Sequence, residues 1–142
     1  MADDPDPFHH DSRRFEVATS CVPLMAGLRC SLDLLEQEGS SEERLKRIRS
    51  LSEQLWRELQ SIPGVSPLLA GPPPAGLVSF QMHPEATSAT PAELVKALGG
   101  QQLWIRDLAD PICLRACTHV CTSQTDIAQL TNQIRMLSAM GS

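Results

Sequence analysis

The sequence predicts an α+β fold, a small and mostly antiparallel sheet with helices packed on one face. Three observations point to it. Two long stretches repeat apolar residues at three- and four-residue spacing: Leu45, Ile48, Leu51, Leu55, Leu59 and Ile62, then Ile127, Leu130, Ile134 and Leu137. Between them, LVSFQM (77–82) and ICLRAC (112–117) read as short strands bounded by turn residues. The elements run α-α-β-β-α-β-β-α, without the strict strand–helix alternation of a parallel sheet.

Each element has a local reason. Residues 1–13, with Pro5, Pro7 and several Asp, offer nothing to bury and are expected to form a disordered arm. RFEVATS (14–20) reads as an extended lead-in. Pro23 suits the first turn of a helix that Gly39 stops. Ser40 with Glu43 forms a capping box for the second helix, whose outer face carries Arg44, Lys46, Arg47, Glu53 and Glu58. Pro63-Gly64 ends it, and Val65 to Ala70 follows as a strand. GPPPAG (71–76) is a stiff turn, because three prolines remove the N–H donors that a phosphate loop needs. Thr90 with Glu93 caps a short helix closed by Gly99-Gly100. Leu103 to Arg106 and Ile112 to Cys117 are the expected third and fourth strands. Ser123 with Asp126 caps the last helix.

Composition narrows the function classes. At 142 residues, one domain is expected over 14–140, with Gly141-Ser142 resembling a cloning scar. A formal net charge of -5 and a pI near 5.3 argue against an electrostatic nucleic-acid binder. No apolar run approaches the ~20 residues of a membrane span, and the acidic N-terminus has no signal-peptide core. Five cysteines, odd in number and irregular in spacing, suit reduced thiols in a cytosol-like compartment.

Cys113, Cys117 and Cys121, with His119 between, invite a metal reading, but residues four apart on a strand lie roughly 13 Å apart. Core packing of Cys113 and Cys117 against the helices is the favoured reading, and Cys121 is the expected exposed thiol. His119 stands two residues from both Cys117 and Cys121, yet that spacing alone makes no catalytic triad. Trp56 and Trp104 read as core anchors. The arginines remain. Arg106 and Arg115 lie nine residues apart, Arg115 inside an apolar strand where an uncompensated cation is costly. They could converge on a carboxylate, or pair with a local acid such as Asp107 or Asp110. The pattern alone leaves both open.

Three stretches carry a family resemblance: RFEVATSCVPLMAGL (14–28), LWIRDLADPICLRAC (103–117) and THVCTSQTDIAQLTNQI (118–134). Together they resemble the C-terminal small domain of class V aminotransferase-fold, PLP-dependent enzymes. That family includes cysteine desulfurases, and the nearest likeness within it is to cyanobacterial-type L-cysteine/cystine C-S lyases. The likeness spans about residues 13–138.

The resemblance implies roles. Arg115 matches the arginine on the substrate α-carboxylate, and Arg106 matches the one that helps hold the far carboxylate of a cystine-like substrate. Thr19 matches the threonine that touches the cofactor phosphate across a dimer, although Ala18 and Ser20 depart from the usual Gly and Pro. The Schiff-base lysine and PLP domain of the family lie upstream of the RFE segment, where this sequence has thirteen residues and no lysine. Its two lysines, Lys46 and Lys96, sit in other contexts. The chain alone is therefore expected to bind no PLP and to be no enzyme, PLP entering only with a large domain. An isolated enzyme domain and a non-catalytic interaction, regulatory or targeting module both fit. Bared apolar surface around Val22, Leu24 and Leu28 suggests self-association or a partner protein, and a small amino-acid carboxylate is the expected ligand. The compartment implied is bacterial cytosol or an organelle of cyanobacterial type.

Overall fold

A computed structural model describes residues 9–15 and 21–139. The expectations for residues 1–8, for Thr19 and for Gly141-Ser142 lie outside that range. The chain divides into two compact units, 1–38 and 39–142, so the expected domain over 14–140 spans parts of both.

In the first unit, a 3-10 turn covers Ser12–Phe15, where an extended lead-in was expected from Arg14. Here Asp11 accepts from both the backbone N–H and the guanidinium of Arg13. Helix α1 covers Val22–Gln37, with proline in its first turn and no buried residue. Gly39 follows at φ 120°, a backbone that glycine adopts readily.

The second unit contains the sheet. Helix α2 (Ser41–Gln60) is followed by strands β1 (Val65–Pro67) and β2 (Leu77–Met82), and then by helix α3 (Pro91–Gly99). Strands β3 (Arg106–Ala109) and β4 (Ile112–Cys117) and helix α4 (Gln124–Ala139) complete it. The spatial strand order is β1-β2-β4-β3, antiparallel throughout. This is the expected α+β class and element order.

One face of the sheet carries the core. Val78 and Phe80 of β2 meet Ala116 and Leu114 of β4 in register, and all four are buried with Leu51, Leu55 and Leu59 of α2. Leu94 and Leu98 of α3 and Ile127, Leu130 and Ile134 of α4 fill the same cluster. Trp56 is buried, and its indole N–H donates to Leu69 O at 3.0 Å. The buried hydroxyls are satisfied too: Ser52 donates to Arg49 O, and Thr131 donates to a Glu58 carboxylate oxygen at 2.8 Å.

Two expectations are corrected. The third strand begins at Arg106 instead of ending there. Leu103 N bonds back to Leu98 O, and Gln102 sits at φ 62°, so 101–105 finishes the turn after α3 and cannot join the sheet. Trp104 is 81 % exposed and lies beside Gly99, not in the core. The cysteine reading also changes. The residues of β4 that face the helices are Leu114 and Ala116, so Cys113 and Cys117 share the opposite face with Arg115. Cys113 is buried there and Cys117 is exposed.

The starts of α2, α3 and α4 are reciprocal capping pairs. Ser40 N donates to Glu43 Oε2 at 2.8 Å, Thr90 N to Glu93 Oε2 at 2.8 Å, and Ser123 N to Asp126 Oδ2 at 2.7 Å. Those backbone donors, and then the capping hydroxyls, hold all three carboxyls below their ordinary range. A depressed folded-state pKa contributes stability above the unfolded value, and that stability is lost as pH falls through the folded one. Acid urea titrations should therefore show a steeper loss for the natural chain than for Glu43→Gln/Glu93→Gln/Asp126→Asn. Equal slopes would remove the caps as the source. Among the described residues, no helix is long and apolar enough to cross a membrane.

Candidate functional site

The face of the sheet away from the helices carries Ser79 and Gln81 of β2, Arg106 of β3 and Arg115 of β4. Side chains alternate along a strand, so residues directly opposite each other across strands share a face. Arg115 is opposite Ser79 on β2 and opposite Arg106 on β3. The three side chains thus form one row across the sheet. Arg115 is half-buried, and its Nε donates to Ser79 Oγ at 3.2 Å. That contact uses Nε and not the two terminal Nη groups. Arg106 is exposed at the strand start.

Among the described residues neither guanidinium forms an ion pair with a carboxylate. Among the described residues the ion pairs are Arg13 with Asp11 and Arg57 with Glu53. Asp107 is opposite Leu114, on the other face by alternation, and Asp110 lies in the β3–β4 turn. The local-acid reading of the arginines therefore has no geometric support. Like charges set directly opposite across strands repel, and an anion between them would reverse the sign of that interaction.

Ser79 was not among the residues expected at the site. Its signal was present in LVSFQM, where a small polar residue stands between two core positions, Val78 and Phe80. The other candidates lie elsewhere. Cys121 is exposed, with its Sγ 3.7 Å from His119 Nδ1. A pocket beside α4 is lined by Leu103, Trp104, Cys117, Thr118, Thr122 and Asp126, and neither arginine reaches it. Among the described residues no three His, Cys, Asp or Glu gather as metal ligands. Val22, Leu24 and Leu28 are exposed on α1, in the first unit.

The described residues do not suit PLP itself. The cofactor needs an amine placed to form its covalent bond. Lys46 lies on the exposed side of α2 beside Glu43 and Arg47, and Lys96 is exposed in the last turn of α3. Neither shares the arginine row.

No family model and no curated protein matches the chain. Solved structures do. One is the cystine C-S lyase C-DES in complex with its reaction product, cysteine persulfide. Another is a lysine-to-alanine mutant of C-DES with glycine covalently linked to the PLP cofactor. Both are 40% identical to this chain, with a TM-score of 0.78 over 87% of it. Over the matched residues the chain has the fold of one part of these PLP-dependent C-DES chains. It spans only 31% and 32% of the two C-DES chains, about a third of their length. The stretches quoted for the family resemblance fall in the α1, β3–β4 and α4 regions of this small domain.

Proposed function

We propose that this small domain recognises the carboxylates of a cysteine- or cystine-like amino acid through Arg115 and Arg106, within a PLP-dependent C-S lyase or desulfurase-like activity. The observation that carries the reading is the arginine row, with a half-buried Arg115 anchored by Ser79, Arg106 directly opposite, and no acidic partner among the described residues. Kinship with a cystine C-S lyase supplies the substrate class. Arg115 takes the α-carboxylate by bidentate pairing, and Arg106 takes the distal one. Thr19 would contribute to the cofactor phosphate across a dimer. The chain by itself is proposed to be catalytically silent, since Lys46 and Lys96 stand apart from the arginines.

A second reading, a non-catalytic interaction or targeting module, draws on the exposed leucines of α1. Calorimetric titration with cystine separates the two. Saturable binding that a simple amine cannot reproduce supports the carboxylate site. Absence of binding at millimolar cystine would leave the module reading.

A further inference from the structure

Cys113, Arg115 and Cys117 share one face of β4, so the arginine stands between two thiols along the strand. Successive residues on one face of a strand are about 7 Å apart. The two thiols differ in access. Cys113 is 2 % exposed, whereas Cys117 is exposed at the end of β4. The Cys117 Sγ has a long contact, 3.8 Å, with Thr118 O. Cys113 and Cys117 are roughly 13 Å apart along the strand, too far for a disulfide between them.

We propose that Cys117 undergoes thiol–disulfide exchange with cystine held by Arg115, which rests on the carboxylate reading of that arginine. Only Cα and Cβ separate the carboxyl group of cystine from its nearer sulfur. A carboxylate on Arg115 therefore keeps the disulfide within reach of the next side chain on the same face, Cys117. The Cys117 thiol loses its proton to water, and its thiolate attacks the nearer sulfur. A new S–S bond joins Cys117 to a half-cystine, the S–S bond of cystine breaks, and cysteine leaves as a thiolate that takes a proton from water. The Cys117 sulfur is oxidised and the departing sulfur is reduced, so cystine itself is the oxidant. The attached half-cystine keeps its carboxylate beside Arg115 and closes the site to further ligand. Cys113 is too distant to resolve the adduct, which persists until an outside thiol reduces it. Cystine is thus both the ligand of the site and the signal that shuts it.

Incubation of the reduced 142-residue chain with cystine, quenched in acid and followed by peptide mass spectrometry, tests it. Half-cystine should appear on Cys117 before it appears on Cys21, Cys30 and Cys121, which are exposed but lie outside the row. Cystamine, a disulfide of the same kind without carboxylates, should show no such preference. Arg115→Ala should lower the ratio of Cys117 to Cys121 labelling by cystine about tenfold. Equal labelling of the exposed thiols by cystine, or a preference that cystamine reproduces, overturns the proposal, and neither result depends on a variant that folds. Calorimetry of Cys117→Ser, which cannot form the adduct, tests the carboxylate reading separately. Cystine binding there, without preferential Cys117 labelling in the natural chain, overturns the exchange alone. Absence of both removes the exchange and the carboxylate reading together.

Discussion

Arg115→Ala is expected to weaken cystine binding by about 10- to 100-fold, the equivalent of one or two charge-assisted hydrogen bonds. The geometry explains why this arginine dominates the pair. Its stem lies in the middle of β4, between β2 and β3, so the guanidinium does not need to be ordered from solution when the ligand arrives. Ser79 holds Nε at 3.2 Å and fixes the plane of the fork. Binding therefore costs little side-chain entropy. Arg115→Lys should lose most of the same affinity, because an ammonium keeps the charge but not the two parallel donors. Arg106→Ala should cost less, under about tenfold, as expected for an exposed ion pair. The same Arg106→Ala should leave the ligand-free protein at least as stable as before, since it removes a like charge set opposite Arg115. The checks are calorimetry for affinity and thermal melting for each ligand-free variant. Unchanged cystine affinity in a folded Arg115→Ala protein would end the carboxylate reading.

Much of this was written in local chemistry. The three capping pairs are short-range hydrogen-bond exchanges that need only the right residue three positions on, so Ser40, Thr90 and Ser123 marked their helices without tertiary information. The stripe of α2 and the alternation in LVSFQM fixed which face is buried for the same reason. The third strand was harder. Leu103, Trp104 and Ile105 carry the apolar, β-favouring side chains of a strand, and they pointed to pairing where the chain is still finishing a turn. The register is set by the turn at Asp110-Pro111, where Ala109 meets Ile112, and counting back from it brings Arg106 opposite Arg115. The arginines themselves were visible as misplaced charges. Their orientation depended on the β2 partner, contributed from more than thirty residues away, and no local pattern encodes that neighbour.

Gly76→Ala is expected to destabilise the second unit by about 1–3 kcal/mol, the usual cost of overpacking, and to lower its Tm by several degrees. The strain is one of contact. A Cβ at position 76 would stand 2.2 Å from the backbone oxygen of Thr118 and 3.0 Å from Ile48 Cγ2. Neither obstacle is the end of a flexible side chain. Thr118 is held by its own N–H, which donates to Gly76 O at 2.8 Å, so relief requires parting the two chains where β2 begins and β4 ends. The next pair along is Leu77 with Cys117, and the one two positions further is Ser79 with Arg115. A shift large enough to admit the methyl therefore loosens the contact that orients the guanidinium. Cystine affinity should fall along with Tm. Gly71→Ala is the control, since its Cβ meets nothing within 4 Å and should change neither quantity. If Gly76→Ala melts like Gly71→Ala, the close approach of these two backbones is wrong. If it melts lower but binds cystine as before, Arg115 is held by β4 alone, and Ser79 has no part in aiming it.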